Sequence, residues 1–419
     1  MRRYDGVKKS NFLIENILSL ILFLPSLYFG IANTLISFIP LYIFTFALGG
    51  FSYLILLIKS PTKFFFIVGS FVLTITYSIS LNANLYSFIL STSSLEKFAS
   101  SRLTFLIFLY FPIFLLSITK KLNYKFLILK MYKFSLLMLP ILLVANFQRL
   151  ISHEYTDYMA IAYEIVFWVF WCILGIPYFK HKFPIVIVII SIISVVTGGS
   201  RGAVLVLFAF LILISVSRVT IKTNTQKNQR QKYFIITCFS AFLAIVLLGA
   251  TEIVAHLNDL LIKLGISSRF LYYLENSKVL VDESRRVIFN EGLVLISNNI
   301  FGYGIYMDRL LITSNQYVHN FFLEVLINYG VIIGTVLILT VLVVTYKALC
   351  FVIKSKDLLQ IQLFLISVVI IYIKFMVSGS YLQSTEFALA IGLLFNLSKI
   401  KHKEEKYEKR LCSFNIIVR

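Results

Sequence analysis

His319 stands beside Asn320 in "YVHNFFLEVLINYG" (317–330), at the head of a long apolar run. An imidazole titrates near neutral pH, so it can take a proton from a sugar hydroxyl or contact a phosphate. The pair also suits a plain helix start, with Asn320 either capping the first turn or holding the ring. Two cationic elements lie far from it in sequence. In "TGGSRGAVL" (197–205), Arg201 follows Ser200 in a turn whose glycines, Gly198, Gly199 and Gly202, let a ligand approach the backbone. The segment "SRRVIFNEGLVLISN" (284–298) opens on Arg285 and Arg286. A guanidinium grips phosphate through two parallel hydrogen bonds, which an ammonium does not. Both elements have blander readings: Arg201 as a turn residue snorkelling to lipid headgroups, and the arginine pair as a neutraliser of Asp282 and Glu283.

The elements that must position these groups are membrane helices. The chain has 419 residues, of which 59% are hydrophobic and 14% charged, with a mean hydropathy of +0.89. A soluble core needs far less apolar surface. Apolar runs near the roughly 20-residue length that crosses a bilayer recur at 12–30, 35–58, 63–80, 102–119, 126–146, 158–178, 183–198, 202–218, 233–251, 331–351, 359–378 and 382–398. Runs this long without alternation predict helices, hence an all-α polytopic membrane protein of about 12 spans. The first run reads as a span and not as a cleaved signal peptide. Basic segments ("MRRYDGVKKS", "KSPTK", "KKLNYK", "FKHKF", "RVTIKTNTQKNQRQK", "IKSKD", "KIKHKEEKYEKR") all fall on one side, which puts both termini in the cytoplasm. The formal charge of +20 is therefore topological, directed at anionic lipid and not at nucleic acid.

The opposite, external side carries the short turns 199–201 and 379–381 and one long loop, 252–330. The chain thus divides into a nine-span bundle (1–251), the external loop (252–330), the last spans (331–398) and a basic tail (399–419). In that loop Val287, Ile288, Leu293, Leu295 and Ile296 have helical spacing, which predicts an amphipathic helix capped by Ser284 and ended by "NNIFGYG". Arg201, Arg285, Arg286 and His319 are all expected on this face. Glu164 and Lys374 fall inside spans, where ionisable groups are functional candidates that pair with each other or reach an interface. Arg269 and Glu252 are further external candidates. The four cysteines suggest no disulfide framework, and no HExxH or Cys/His spacing, phosphate loop or dinucleotide fingerprint is present, so neither metal nor cofactor is expected.

Three separated segments, "GGSRGAVL" (198–205), "SRRVIFNEGLVLISNNIFGYG" (284–304) and "HNFFLEVLINYG" (319–330), resemble the bacterial O-antigen ligase and O-antigen polymerase family of membrane glycosyltransferases. The last matches that family's pattern of His-Asn, nine residues, Gly. It departs from it where the family has a small residue three positions later; here Ile333 stands there and Gly334 follows. The resemblance implies a GT-C-like fold and a metal-independent, inverting transfer of a glycan carried on undecaprenyl pyrophosphate. Carried over by position, Arg201 and Arg286 bind the pyrophosphate and His319 activates the acceptor hydroxyl. Arg285, Asn320, Ser200 and Arg269 join them around the substrates.

Within that resemblance the favoured activity is polymerisation of lipid-linked repeat units for O-antigen or capsule, because external aromatics (Phe270, Tyr272, Tyr273, Tyr303, Tyr306, Tyr317) suit two glycan substrates. The alternative is ligation of the chain to lipid A-core. A flippase is the reading from another class; it predicts paired repeats and charged, broken helices near the midplane in both halves. The expected setting is the bacterial inner membrane, with the site outside and a chain-length regulator and a flippase as partners.

Overall fold

The computed structural model describes residues 12–32, 39–59, 61–81, 105–119, 122–152, 158–178, 183–198, 200–221, 283–312 and 318–399. Arg269, Glu252, Gly199, Tyr317, the expected span at 233–251 and the basic tail beyond 399 lie outside them. All regular structure among the described residues is helical.

The helices are α1 (Phe12–Ala32), α2 (Ile39–Lys59), α3 (Pro61–Leu81), α4 (Phe111–Thr119, entered through a π turn at Leu106–Tyr110), α5 (Tyr124–Ser152), α6 (Tyr158–Gly175), α7 (Phe183–Thr197) and α8 (Arg201–Ile221). There follow α9 (Glu283–Asn298), the short α10 (Asp308–Leu311), α11 (Phe321–Ser355), α12 (Leu358–Val369, continued by a π turn at Ile370–Lys374) and α13 (385–399). Among the described residues, five stretches are long and apolar enough to cross a membrane: Leu13–Gly30, Tyr124–Arg149, Met159–Tyr178, Phe321–Ser355 and Leu358–Val377. Leu106–Ile118, Phe183–Thr197 and Arg201–Ser217 are apolar but shorter.

Helix α6 is the centre of the bundle, packed on α5, α7 and α8, while α8 in turn packs on α12. Its tryptophans, Trp168 and Trp171, are fully buried, and Phe170 lies 4.0 Å from Phe210 of α8 between ring centroids. Burying aromatics of this size supplies much of a core's apolar area. The opposite pattern holds on α7, where Ile185, Val186, Ile189, Ile190 and Ile193 stay exposed, as do Val336, Leu339 and Val343 of α11. Such continuous apolar stripes belong against lipid.

The amphipathic helix α9 forms with two corrections. It begins at Glu283, so Ser284 sits in the first turn and not ahead of it. Its buried face is Ile288, Gly292, Leu295 and Ile296, packed on Val318, Leu323 and Ile327, whereas Val287 and Leu293 point outward. The reason is the helical step: 287 and 293 lie off the stripe that 288, 292 and 295 define. The outward residues, with Val294, Ile300 and Phe301, make a second apolar face that remains exposed.

Helix α11 is broken at Gly330 (φ 76°, ψ 173°). That conformation is essentially open to glycine only. The break leaves carbonyls and an N–H without helical partners, and the loop after α9 supplies them. The Tyr303 N–H donates to Ile327 O at 2.9 Å, the Gly304 N–H to Asn328 O at 2.9 Å, and the Val331 N–H to Ile300 O at 2.8 Å. Here Gly302 (φ 85°) and Gly330 pass backbone against backbone, and a Cβ on either would collide with the other strand. Asn299 fixes the loop by donating to Gly302 O at 2.7 Å and accepting from the Phe301 N–H at 3.0 Å. Past the break, Gly334 packs on Val325 and Leu326, while Ile333 is exposed. Replacing Gly330 with Ala should destabilise the protein by roughly 1–3 kcal/mol. A lower thermal unfolding midpoint in detergent is the expected reading, and an unchanged midpoint would contradict this crossing.

Candidate functional site

Arg201 is the first residue of α8 and is half-buried. Ser200 before it is buried and acts as the cap: its carbonyl accepts from the Val204 N–H at 3.1 Å and its hydroxyl from the Ala203 N–H at 3.4 Å. Gly202 has no room for a side chain. A Cβ there would strike the Tyr163 hydroxyl and lie 3.5 Å from a Val377 methyl. The turn that carries Arg201 is thereby seated against α6 and the end of α12.

Val377 receives the second arginine element. Arg285, half-buried, donates from Nη1 to the Val377 carbonyl at 2.9 Å. Arg286 is exposed. The same helix face continues from Arg285 to Ile288 and Gly292, which pack on Val318, the residue before His319. One helix thus ties the Val377 carbonyl to the approach to His319, and Gly202 ties that end of α12 to the Arg201 turn.

His319 is half-buried and holds a left-handed backbone (φ 52°). This conformation is uncommon for a side chain other than glycine. Asn320 follows in an extended conformation and caps α11, its side chain accepting from the Leu323 N–H at 3.2 Å. The capping role foreseen for Asn320 is thus the one found. His319 lies just before the helix, with its backbone fixed from both sides by the packed Val318 and the cap.

Beneath this lies a network the sequence reading did not assemble. Glu324, fully buried on α11, accepts from the Ser380 hydroxyl and from the Tyr381 N–H at 3.3 Å. Phe321 meets the rings of Tyr381 at 5.4 Å and Phe387 at 5.0 Å. Tyr306 donates its hydroxyl to Leu382 O at 3.3 Å. Apart from Phe387, in the first turn of α13, these partners sit on the turn between α12 and α13, where Gly379 (φ 87°) reverses the chain. Beside Tyr306 lie Asp308 and Arg309, both buried, the guanidinium 5.3 Å from the Tyr306 ring centroid. Burial raises the Asp308 carboxyl to about 6, against the pull of Arg309 and of nearby backbone N–H groups, Val318 among them. The only hint of this pair in the sequence is an Asp-Arg dipeptide within the mostly apolar stretch "GIYMDRLL".

The two intramembrane charges resolve differently from a mutual pair. Lys374 forms its ion pair with Glu386 of α13, a residue the sequence reading passed over. Glu164 accepts a hydrogen bond from Ser26 of α1 at 2.9 Å. Among the described residues no group of three His, Cys, Asp or Glu side chains is arranged to hold a metal.

Residues 186–339 match the family model described as O-antigen ligase. The matched region runs from α7 through the crossing at Gly330 and contains Arg201, Arg285, Arg286 and His319. It supports the O-antigen ligase and polymerase family, and a ligase- or polymerase-type function within it. With the five long apolar helices, it makes this an integral membrane protein. No curated protein and no solved structure matches the chain.

The Asp308 environment carries a pH prediction. Its folded carboxyl binds protons more tightly than the unfolded one, so its stabilising contribution is complete below the ordinary value of 3.8 and is lost as pH rises through about 6. Asp308→Asn, which stays neutral, should therefore gain in unfolding midpoint relative to the wild type between pH 4 and pH 7. A constant difference across that interval would contradict the buried carboxyl.

Proposed function

We propose that this protein is a polymerase that joins undecaprenyl-pyrophosphate-linked oligosaccharide repeat units into a surface polysaccharide, O-antigen or capsule. The observation that carries the reading is the shared anchor at Val377: its methyl stands where a side chain on Gly202 would point, and its carbonyl accepts from Arg285, on a helix whose next turns pack against the approach to His319. Three segments far apart in sequence are drawn to one end of the bundle by those contacts.

The chemistry suits that end. His319 takes the proton of the acceptor hydroxyl while its oxygen attacks the anomeric carbon, inverting it as the bond to the pyrophosphate breaks. The departing diphosphate gathers negative charge, which Arg201 and Arg286, the latter exposed towards an arriving headgroup, stabilise with Arg285 behind them. Cationic donors in a low-dielectric setting act most strongly on such developing charge. Ser200 and Asn320 contribute as caps that set Arg201 and His319 in place. Arg269 belongs to the same external loop and joins the substrate-binding group in this reading.

The remaining architecture follows the same proposal: a GT-C-like protein of about 12 spans in the bacterial inner membrane, with both termini cytoplasmic and the site external. Its units are a bundle over 1–251, the loop 252–330, the spans 331–398 and the tail 399–419. It works on lipid-linked donor and acceptor, alongside a flippase and a chain-length regulator, and without a cofactor. The matching family is equally consistent with a second reading, transfer of the finished chain to lipid A-core.

Purified protein given only lipid-linked repeat units should build a ladder of chain lengths. Product that appears only after lipid A-core is added would establish the ligase instead. His319→Ala should slow transfer by about 10²–10⁴-fold, the usual weight of a general base. Arg201→Ala should cost on the order of 10²–10³-fold, and Arg201→Lys should restore little of it because the bidentate grip is lost. Full activity with His319 and Arg201 both replaced would overturn the transferase reading.

A further inference from the structure

A cavity of about 460 Å³ opens between α1, α6 and the turn joining α12 to α13. This falls within the roughly 300–1,000 Å³ range of small-molecule sites. Its lining is of two kinds. Phe29, Phe105 and Phe375 contribute aromatic side chains, and Ser378, Ser384 and Thr385 are hydroxyl-bearing residues of the same lining. Between them stand Glu164, Lys374 and Glu386. Lys374 is already committed: it pairs with Glu386, and its ammonium lies 5.1 Å from the Tyr163 ring centroid and 5.4 Å from that of Phe375. The lining therefore holds two carboxylates against one ammonium.

That composition is the reverse of the arginine side. Tyr163 is the partition, because its ring lines this cavity while its hydroxyl abuts Gly202, next to Arg201. Ser378, also in the lining, follows Val377, whose carbonyl holds Arg285. An anion is drawn to the arginine side, whereas the cavity offers two carboxyl groups and a single ammonium already paired with one of them. A pyranose offers what the cavity matches: C–H faces for aromatic rings, and a rim of hydroxyls that donate to carboxylates and accept from serine and threonine. We propose that the cavity is a glycan subsite for a neutral sugar residue, set beside the arginine cluster that takes the diphosphate. The inference rests on the transferase reading above and names the kind of sugar it accepts.

The test is photoaffinity labelling of the full-length protein in nanodiscs, using diazirine-bearing neutral disaccharides of glucose, galactose and N-acetylglucosamine. The comparison probe is the matching glucuronic acid disaccharide. Peptide mapping should place the neutral label on residues 159–164 or 378–386, with little label from the acidic probe. Ala160→Trp, at an exposed position of the rim, should fill the cavity and cut labelling by about tenfold, the loss of one good contact. It should leave the binding of inorganic pyrophosphate unchanged. Glu164→Gln, which keeps shape and removes charge, should let the acidic probe in. Labelling that maps elsewhere, resists Ala160→Trp or treats both probes alike overturns the subsite. Failure of the transferase reading looks different: neutral labelling stays in the cavity while Arg201→Ala and His319→Ala leave glycan transfer untouched.

Discussion

A carbonyl released where a helix ends inside an apolar bundle must find a donor, and this requirement organises the site. Helix α12 passes through a π turn at Ile370–Lys374 and stops at Ser378, which is extended. The Val377 carbonyl is met by the Arg285 guanidinium, and Leu382 O by the Tyr306 hydroxyl. The donors of the same turn, the Ser380 hydroxyl and the Tyr381 N–H, converge on Glu324. An unsatisfied group of this kind in hydrocarbon costs several kcal/mol. The turn and the segments around it therefore hold each other in place, so the motifs carrying Arg285 and His319 are joined through an element that neither contains.

The long apolar runs made most of the helices legible, because span length depends on little else. Their interruptions were not legible. Gly330 looks like a glycine tolerated in a helix until the loop at Gly302 arrives against it, and that approach is tertiary. Nothing in "IIYIK" marks a π turn. The inward arginine was within reach of periodicity: Arg285, Ile288, Gly292 and Leu295 follow one helical stripe, whereas Arg286 steps off it. Counting Val287 and Leu293 into the apolar face blurred that stripe.

Charged residues were harder to place because their partners lie on other helices. Lys374 and Glu386 are separated by a chain reversal, and Glu324 finds Ser380 across the bundle. Removing one member of a buried ion pair such as Lys374–Glu386 strands the other at a cost of about 3–5 kcal/mol. The sequence marks Lys374 as unusual but carries no mark of the residue that joins it. Asn320 is the contrasting case, since a cap bonds within its own first turn, and capping was one of the two roles that the local sequence offered.

The backbone of His319 shows how the two kinds of information combine. A left-handed conformation at a side-chain-bearing residue costs on the order of 1–3 kcal/mol and persists only where its neighbours over-determine it. Val318 is locked into the apolar contact with α9, Asn320 is locked by the cap, and α11 departs in a direction fixed by the crossing of Gly302 and Gly330. With both flanks pinned, the single residue between them absorbs the change of direction, just ahead of the first turn of α11. A glycine would relieve the strain but would bring no ring. A histidine one position later would displace the cap. The order His then Asn is thus the one in which the strained position bears the titratable group and the relaxed position bears the cap.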